Sequence, residues 1–305
     1  DYARYKDIMT KRQIAFLQIF ITAVLWGSTF VLFRLGLEDI GPFTLAGIRF
    51  TVAGLLMLPI LKLRGFKLKD HSGDYWKLAI LGFFSFSIGN GFLAWGLKYL
   101  PSTTVALLMN LIDPLILFFS IIWLKEIPKP IQLVGIAAAL AGIVLYFSPQ
   151  PIPWNDPGMF IIGISLIGFS SYSLFGRYLA RSQTFPFWVQ TAFPFIFGGM
   201  GLLVTAIFTE RIPHFTIPAI LSLGWMIVFN SIIGYSFYNK AISYLSAVEI
   251  NIMLKMAPFS TALIAWFLLG EKLSPVEVAG MLIVILGILL VQLGHFSVKN
   301  FFRNN

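Results

Sequence analysis

Apolar runs of about 20 residues follow one another along the whole chain, separated by short breaks rich in proline, glycine or charge. Runs of that length suit helices that cross a bilayer, since 20 residues at 1.5 Å each span its hydrocarbon core. The runs are continuous rather than alternating, which excludes the short dyad pattern of a membrane barrel. Ten spans are predicted, over 13–35, 42–62, 75–98, 102–124, 130–147, 157–179, 185–208, 217–240, 247–269 and 274–294. The breaks carry turn or basic residues, among them Gly41-Pro42, Lys62 to Asp74, Pro101, Pro149 to Pro157, Glu210 to His214 and Ser274-Pro275.

The chain also repeats itself. Residues 126–142 (EIPKPIQLVGIAAALAG) align with 271–287 (EKLSPVEVAGMLIVILG) at a shift of 145. The shift matches Glu126 with Glu271, Pro130 with Pro275, Gly135 with Gly280 and Gly142 with Gly287, and it also pairs Gly89 with Gly234. Pro114 and Pro258 correspond after one gap, and Ser28 and Arg34 match Ser171 and Arg177 at a shift of 143. Five spans per half is an odd number, so the second half enters the membrane from the opposite side. Inverted repeats of this kind are a common construction among secondary transporters. The expected organisation is an amino-terminal cytoplasmic segment 1–12, a first five-helix repeat 13–147, a linker 148–156, a second repeat 157–294 and a tail 295–305.

Composition adds the solvent. Of 305 residues 58% are hydrophobic and 11% charged, whereas a soluble domain carries about 25% charged residues. The net charge of +9 does not point to nucleic acid, because the excess basic residues lie beside apolar runs. With the amino terminus inside, sixteen Lys and Arg fall in cytoplasmic segments and four (Arg34, Lys98, Arg211, Lys272) in outer ones, with Arg49 and Lys255 within spans. The positive-inside rule therefore predicts both termini in the cytoplasm. The first run is too long for a signal-peptide core and is read as a retained span. There is no cysteine, and His71, His214 and His295 have no metal-ligand spacing, so no metal site or cofactor is expected.

The chain resembles the drug/metabolite transporter superfamily, in particular its EamA-type members. The resemblance rests on Trp26-Gly27-Ser28 with Phe30, on Pro42 and Arg49-Phe50, and on the doubled series Pro114, Glu126, Gly135, Gly142 and Pro258, Glu271, Gly280, Gly287. It runs from about residue 13 to 293. It implies an all-α membrane protein of ten transmembrane helices, two inverted five-helix repeats around a central cavity, in a bacterial inner membrane. It further implies export of amino acids or other small metabolites.

Ionisable groups inside spans cost about 2.5–3.5 kcal/mol at a helix centre, so they mark functional candidates. Asp113 and Lys255 lie near the middle of spans four and nine, each just before a repeat-related proline, Pro114 or Pro258. A zwitterionic substrate held between them is one expectation; an ion pair that only joins the two spans is the other. Arg49 is assigned a structural or gating role, as are Pro114, Pro258, Glu126 and Glu271, the glutamates as caps at span ends. Trp26, Ser28, Asn90, Trp95, Asn110, Asn230, Tyr235, Tyr238 and Asn251 are expected to line the cavity with Asp113 and Lys255.

No HExxH, GxSxG or GxxxxGK[ST] occurs, so neither an intramembrane hydrolase nor nucleotide drive is expected. Alternating access, with flux either facilitated or coupled to protons through Asp113, is the expected mechanism. A lipid flippase and a membrane scaffold without transport are the rival readings.

Overall fold

The computed structural model describes residues 2–63, 74–124, 129–149, 155–182, 185–242, 244–245 and 247–295, and all regular structure within them is helical. The rods are α1 (Tyr2–Gly36), α2 (Pro42–Leu63), α3 (Tyr75–Gly96), α4 (Ser102–Leu108 continuing as Ile112–Leu124), α5 (Pro130–Tyr146) and α6 (Pro157–Ser182). They continue as α7 (Phe187–Thr209), α8 (Ile217–Trp225 continuing as Gly234–Ile242), α9 (Ala247–Leu254 and Ala257–Leu269) and α10 (Pro275–His295). Proline opens α2, α5, α6 and α10, where its fixed φ suits the first turn and its missing N–H removes no helical bond. Gly270 ends α9 in the left-handed region at φ 69°, a conformation that costs a residue with a Cβ.

By length and composition, seven of these helices among the described residues are suited to cross a membrane: α1 to α4 and α7 to α9. The apolar stretches of the others are shorter, Pro130–Tyr146, Pro157–Tyr172 and Pro275–Val291. The outward-facing side chains are apolar, with Leu63, Phe160, Ile207, Phe208 and Phe267 all strongly exposed. Such a surface needs lipid around it.

Helices matched by the repeat pack against one another in opposite directions. On α5 and α10, Gly135 faces Gly287 and Val291 while Gly142 faces Gly280 and Val284, so one helix runs up as the other runs down. On α2 and α7, Gly47 faces Gly199 and Leu203 while Gly54 faces Ala192 and Ile196. Glycine at these crossings lets backbones approach closely, the packing device that membranes favour. Other contacts are doubled as well. The Ser165 hydroxyl of α6 donates to the Gly89 carbonyl of α3 at 2.6 Å, and the repeat-matched Thr22 hydroxyl of α1 donates to the Gly234 carbonyl of α8 at 3.4 Å. The two halves thus have opposite sense in space.

A Cβ added at Gly142 would lie 2.6 Å from the backbone nitrogen of Val284 and 2.8 Å from the Gly280 carbonyl, whereas one added at Gly224 would meet nothing within 4 Å. Gly142→Ala is therefore expected to lower thermal stability in detergent by the equivalent of about 1–3 kcal/mol. Gly224→Ala should leave it unchanged or slightly raised. Equal melting temperatures for both variants would contradict the close crossing.

Candidate functional site

Four rods depart from regular α-helix, and the departures come in repeat-related pairs. α3 winds as π-helix over Phe83–Asn90 and α8 does so over Met226–Ile233. α4 tightens into a 3-10 turn at Met109–Leu111, and α9 breaks at Lys255 and Met256. The cause of the second pair is legible. Pro114 and Pro258 lack the N–H that would close the preceding turn, and their rings crowd the carbonyl four residues back. Beside this break the Asn110 side-chain amide donates within α4, to the carbonyls of Ala106 at 3.1 Å and Leu107 at 3.3 Å.

These breaks bring Asp113 and Lys255 together. The Lys255 Nζ lies 2.6 Å from Asp113 Oδ2, and both side chains are largely buried. An ion pair in a low-dielectric setting offsets the cost of placing either charge there. The pair joins α4 of one half to α9 of the other.

Beside the pair lies a cavity of about 380 Å³ between the halves. Ile112 and Ala257, close neighbours of the paired residues in sequence, reach its wall; Asp113 and Lys255 themselves are not among the lining residues. Nearly half of the wall residues are aromatic. Trp26 from α1, Phe50 from α2, Phe169 and Tyr172 from α6, and Tyr235 and Tyr238 from α8 all line it, with Phe30, Thr29, Ser85, Asn90, Leu93 and Met109. The Trp26 ring lies 5.1 Å from Tyr235 and 5.4 Å from Tyr238, and its Nε1 donates to the Asn230 carbonyl at 3.2 Å. Within the π-helical stretch the Asn90 side-chain amide donates to the Ser85 carbonyl at 3.0 Å.

The wall obeys the repeat. Trp26 and Phe169, and Thr29 and Tyr172, are related by the shift of 143; Asn90 and Tyr235, and Leu93 and Tyr238, by 145. Sequence reasoning put Trp26, Asn90, Tyr235 and Tyr238 here and missed Thr29, Phe169 and Tyr172. Carrying the repeat shift across to each chosen residue would have found Phe169 from Trp26.

Other expected lining residues sit elsewhere. Ser28 and Asn230 pack between α1 and α8. The Asn230 amide donates to the Leu25 carbonyl at 2.8 Å, to the Ser28 hydroxyl at 3.1 Å and to the Thr29 hydroxyl at 2.7 Å, and Asn230 is wholly buried. Trp95 packs its ring 5.7 Å from both Phe43 and Phe92, away from the cavity. The Asn251 side chain and Glu126 lie outside the described residues. Glu271 stands at the end of α9, where the left-handed turn at Gly270 aims it at the start of α4. Its carboxylate accepts from the Ser102 and Thr103 backbone N–H groups at 2.9 and 3.2 Å and from the Thr103 hydroxyl at 2.9 Å. Glu210 caps α2 in the same manner through Phe43 and Thr44. A carboxylate at a helix start satisfies N–H groups that have no helical partner and complements the dipole.

Arg49 is the cationic side chain in the cavity wall. It is 3% exposed; its Nε donates to the Ser231 hydroxyl at 3.2 Å, and its Nη1 lies 3.8 Å from the Met226 sulfur. The guanidinium carbon sits 4.7 Å from the Phe50 ring centre and 5.2 Å from that of Phe33. Among the described residues no carboxylate pairs with it.

The EamA-like transporter family matches this chain twice, over residues 13–148 and 156–293. An uncharacterized inner membrane transporter of Escherichia coli (strain K12), YedA, is 28% identical over 282 residues, covering 91% of this chain and 90% of its own. An uncharacterized transporter of Bacillus subtilis (strain 168), YyaM, is 27% identical over 279 residues, covering 88% and 90%. A solved crystal structure shares the fold with a TM-score of 0.67 at 20% identity, covering 92% of this chain and 97% of its own.

Breaking the α4–α9 pair leaves one charge without a partner in a poorly hydrated place. Lys255→Met or Asp113→Asn alone is expected to cost about 2 kcal/mol, less than for a fully buried pair because both groups keep some exposure. The double variant should cost clearly less than the sum of the two. A thermal-unfolding cycle with strictly additive losses would contradict the pair.

Proposed function

Because the chain belongs to the EamA-like transporter family, we propose that it is a secondary transporter of a small amphipathic metabolite, of the amino-acid or zwitterion kind. The solute moves across a bacterial inner membrane by alternating access, in the direction of export. The observation that carries this reading is the 380 Å³ cavity whose wall is drawn from matching positions of two oppositely directed halves. A site shared by inverted halves can be exposed to either face by rocking one half against the other. Its size falls within the range of small-molecule pockets, and its aromatic wall suits a solute with an apolar body.

In this reading α5, α6 and α10 also cross the membrane, giving ten spans with both termini in the cytoplasm. The sixteen-to-four distribution of Lys and Arg supports that orientation. The Asp113–Lys255 pair bridges the halves at the broken helices and is the contact that rearranges as the halves rock. A proton taken up by Asp113 would release Lys255, which gives the coupling route if flux is proton-driven.

A lipid-handling reading has one observation of its own. An apolar crevice of about 780 Å³ lies between α4, α5 and α6, lined by residues such as Pro114, Phe118, Leu140 and Gly163. Lipid chains could enter there.

Purified protein in liposomes should carry at least one solute from a panel of amino acids, nucleosides and a fluorescent phospholipid, in competition with one another. A folded Lys255→Met variant is expected to lose most of that flux. Wild-type flux in the variant would remove the ion pair from the mechanism. Movement of the phospholipid alone would favour the lipid reading, and no movement of any member would contradict transport of these classes.

A further inference from the structure

We infer that Arg49 is the recognition point for a monoanionic group of the transported solute, a carboxylate attached to an apolar or aromatic body. The inference rests on the transport reading above and names the substrate class of that same cavity.

The starting observation is a charge without a partner. A guanidinium stays ionised at physiological pH, and burying it without an anion is costly. Arg49 is 3% exposed, lies in the cavity wall and has no carboxylate partner among the described residues. Its neighbours hold it rather than neutralise it. Ser231 and Met226 engage Nε and Nη1, and Phe33 and Phe50 provide ring faces to the guanidinium. Its Nη2 has no hydrogen-bond partner among the described residues. A planar fork held on one edge in the wall of a cavity is suited to an oxyanion.

Charge balance selects the kind of anion. Asp113 and Lys255 neutralise each other beside the cavity, and the lining residues include no carboxylate. The wall therefore has one net positive charge to offer. A carboxylate balances it, whereas a phosphate monoester, at about −1.5 to −2 near neutral pH, would leave negative charge unpaired among rings. The same wall contributes Trp26, Tyr172, Tyr235 and Tyr238 for the rest of the molecule, including any ammonium, which can lie against ring faces.

Symmetry supplies an independent reason. Matched positions of the two halves supply several pairs of wall residues, but the positions matched to Arg49 by the two shifts are Ala192 and Pro194, neither of which lines the cavity. A two-sided cavity with one charged side fixes the orientation of an amphipathic solute.

The test compares three molecules with one body: 3-phenylpropionate, 3-phenylpropionamide and phenethylamine, titrated calorimetrically into the purified full-length protein. Wild type is expected to bind the carboxylate about tenfold or more tightly than the amide or the amine. Arg49→Gln should abolish that preference, and Arg49→Lys should keep part of it. Equal binding of carboxylate and amide by wild type overturns the assignment whether or not the variants fold. So does failure to bind any of the three, or a preference that survives in Arg49→Gln. Solute flux without carboxylate preference would sink this inference and leave transport standing. Carboxylate preference lost in Arg49→Gln, with no flux of any solute, would do the reverse.

Discussion

Hydrocarbon does not tolerate a lone charge, and the centre of this protein is organised around that constraint. Lys255 and Asp113 meet at 2.6 Å because α9 and α4 are both interrupted one turn or less before a proline. The interruptions free backbone carbonyls that lipid could not satisfy, so they are tolerated only where protein or water faces them. The ion pair, the broken helices and the adjoining cavity are thus parts of one solution.

The second organising feature is opposite direction within matched helices. Gly135, Gly142, Gly280 and Gly287 let α5 and α10 touch backbone to backbone, and Gly47, Gly54 and Gly199 do so for α2 and α7. Two halves held together at such seams place matched wall residues opposite one another, which is why Trp26 faces the same space as Phe169 and Asn90 the same space as Tyr235. Arg49 departs from this pattern. The wall is thus partly paired by the repeat but carries its charge on one side only.

Much of this was legible in the sequence. Apart from α1, which begins at Tyr2 rather than residue 13, the apolar runs located the rods within a few residues; the repeat implied two halves, and the two intramembrane charges before Pro114 and Pro258 pointed to a meeting place. Side-chain direction was not legible. Trp95 and Asn110 have the depth expected of lining residues, yet Trp95 turns to Phe43 and Phe92 and Asn110 bonds its own helix. Periodicity gives the face of a regular helix, and the π-helical and 3-10 stretches shift that face by a fraction of a turn. Sequence alone assigns Arg49 a structural or gating role. Its burial in the wall, with no carboxylate partner among the described residues, depends on what α8 brings beside it, and no local pattern encodes that.

The central claim is that one space between the halves communicates in turn with both faces of the membrane. The chain contains no cysteine, so a single introduced thiol reports alone. Thr29→Cys and Tyr172→Cys, a repeat-matched pair in the wall, can each be exposed to a membrane-impermeant thiol reagent in spheroplasts and in inside-out vesicles. The account predicts labelling of both positions from both faces, slowed by a transported solute. A wall that reacts from neither face, or from one face only under every condition, would contradict it.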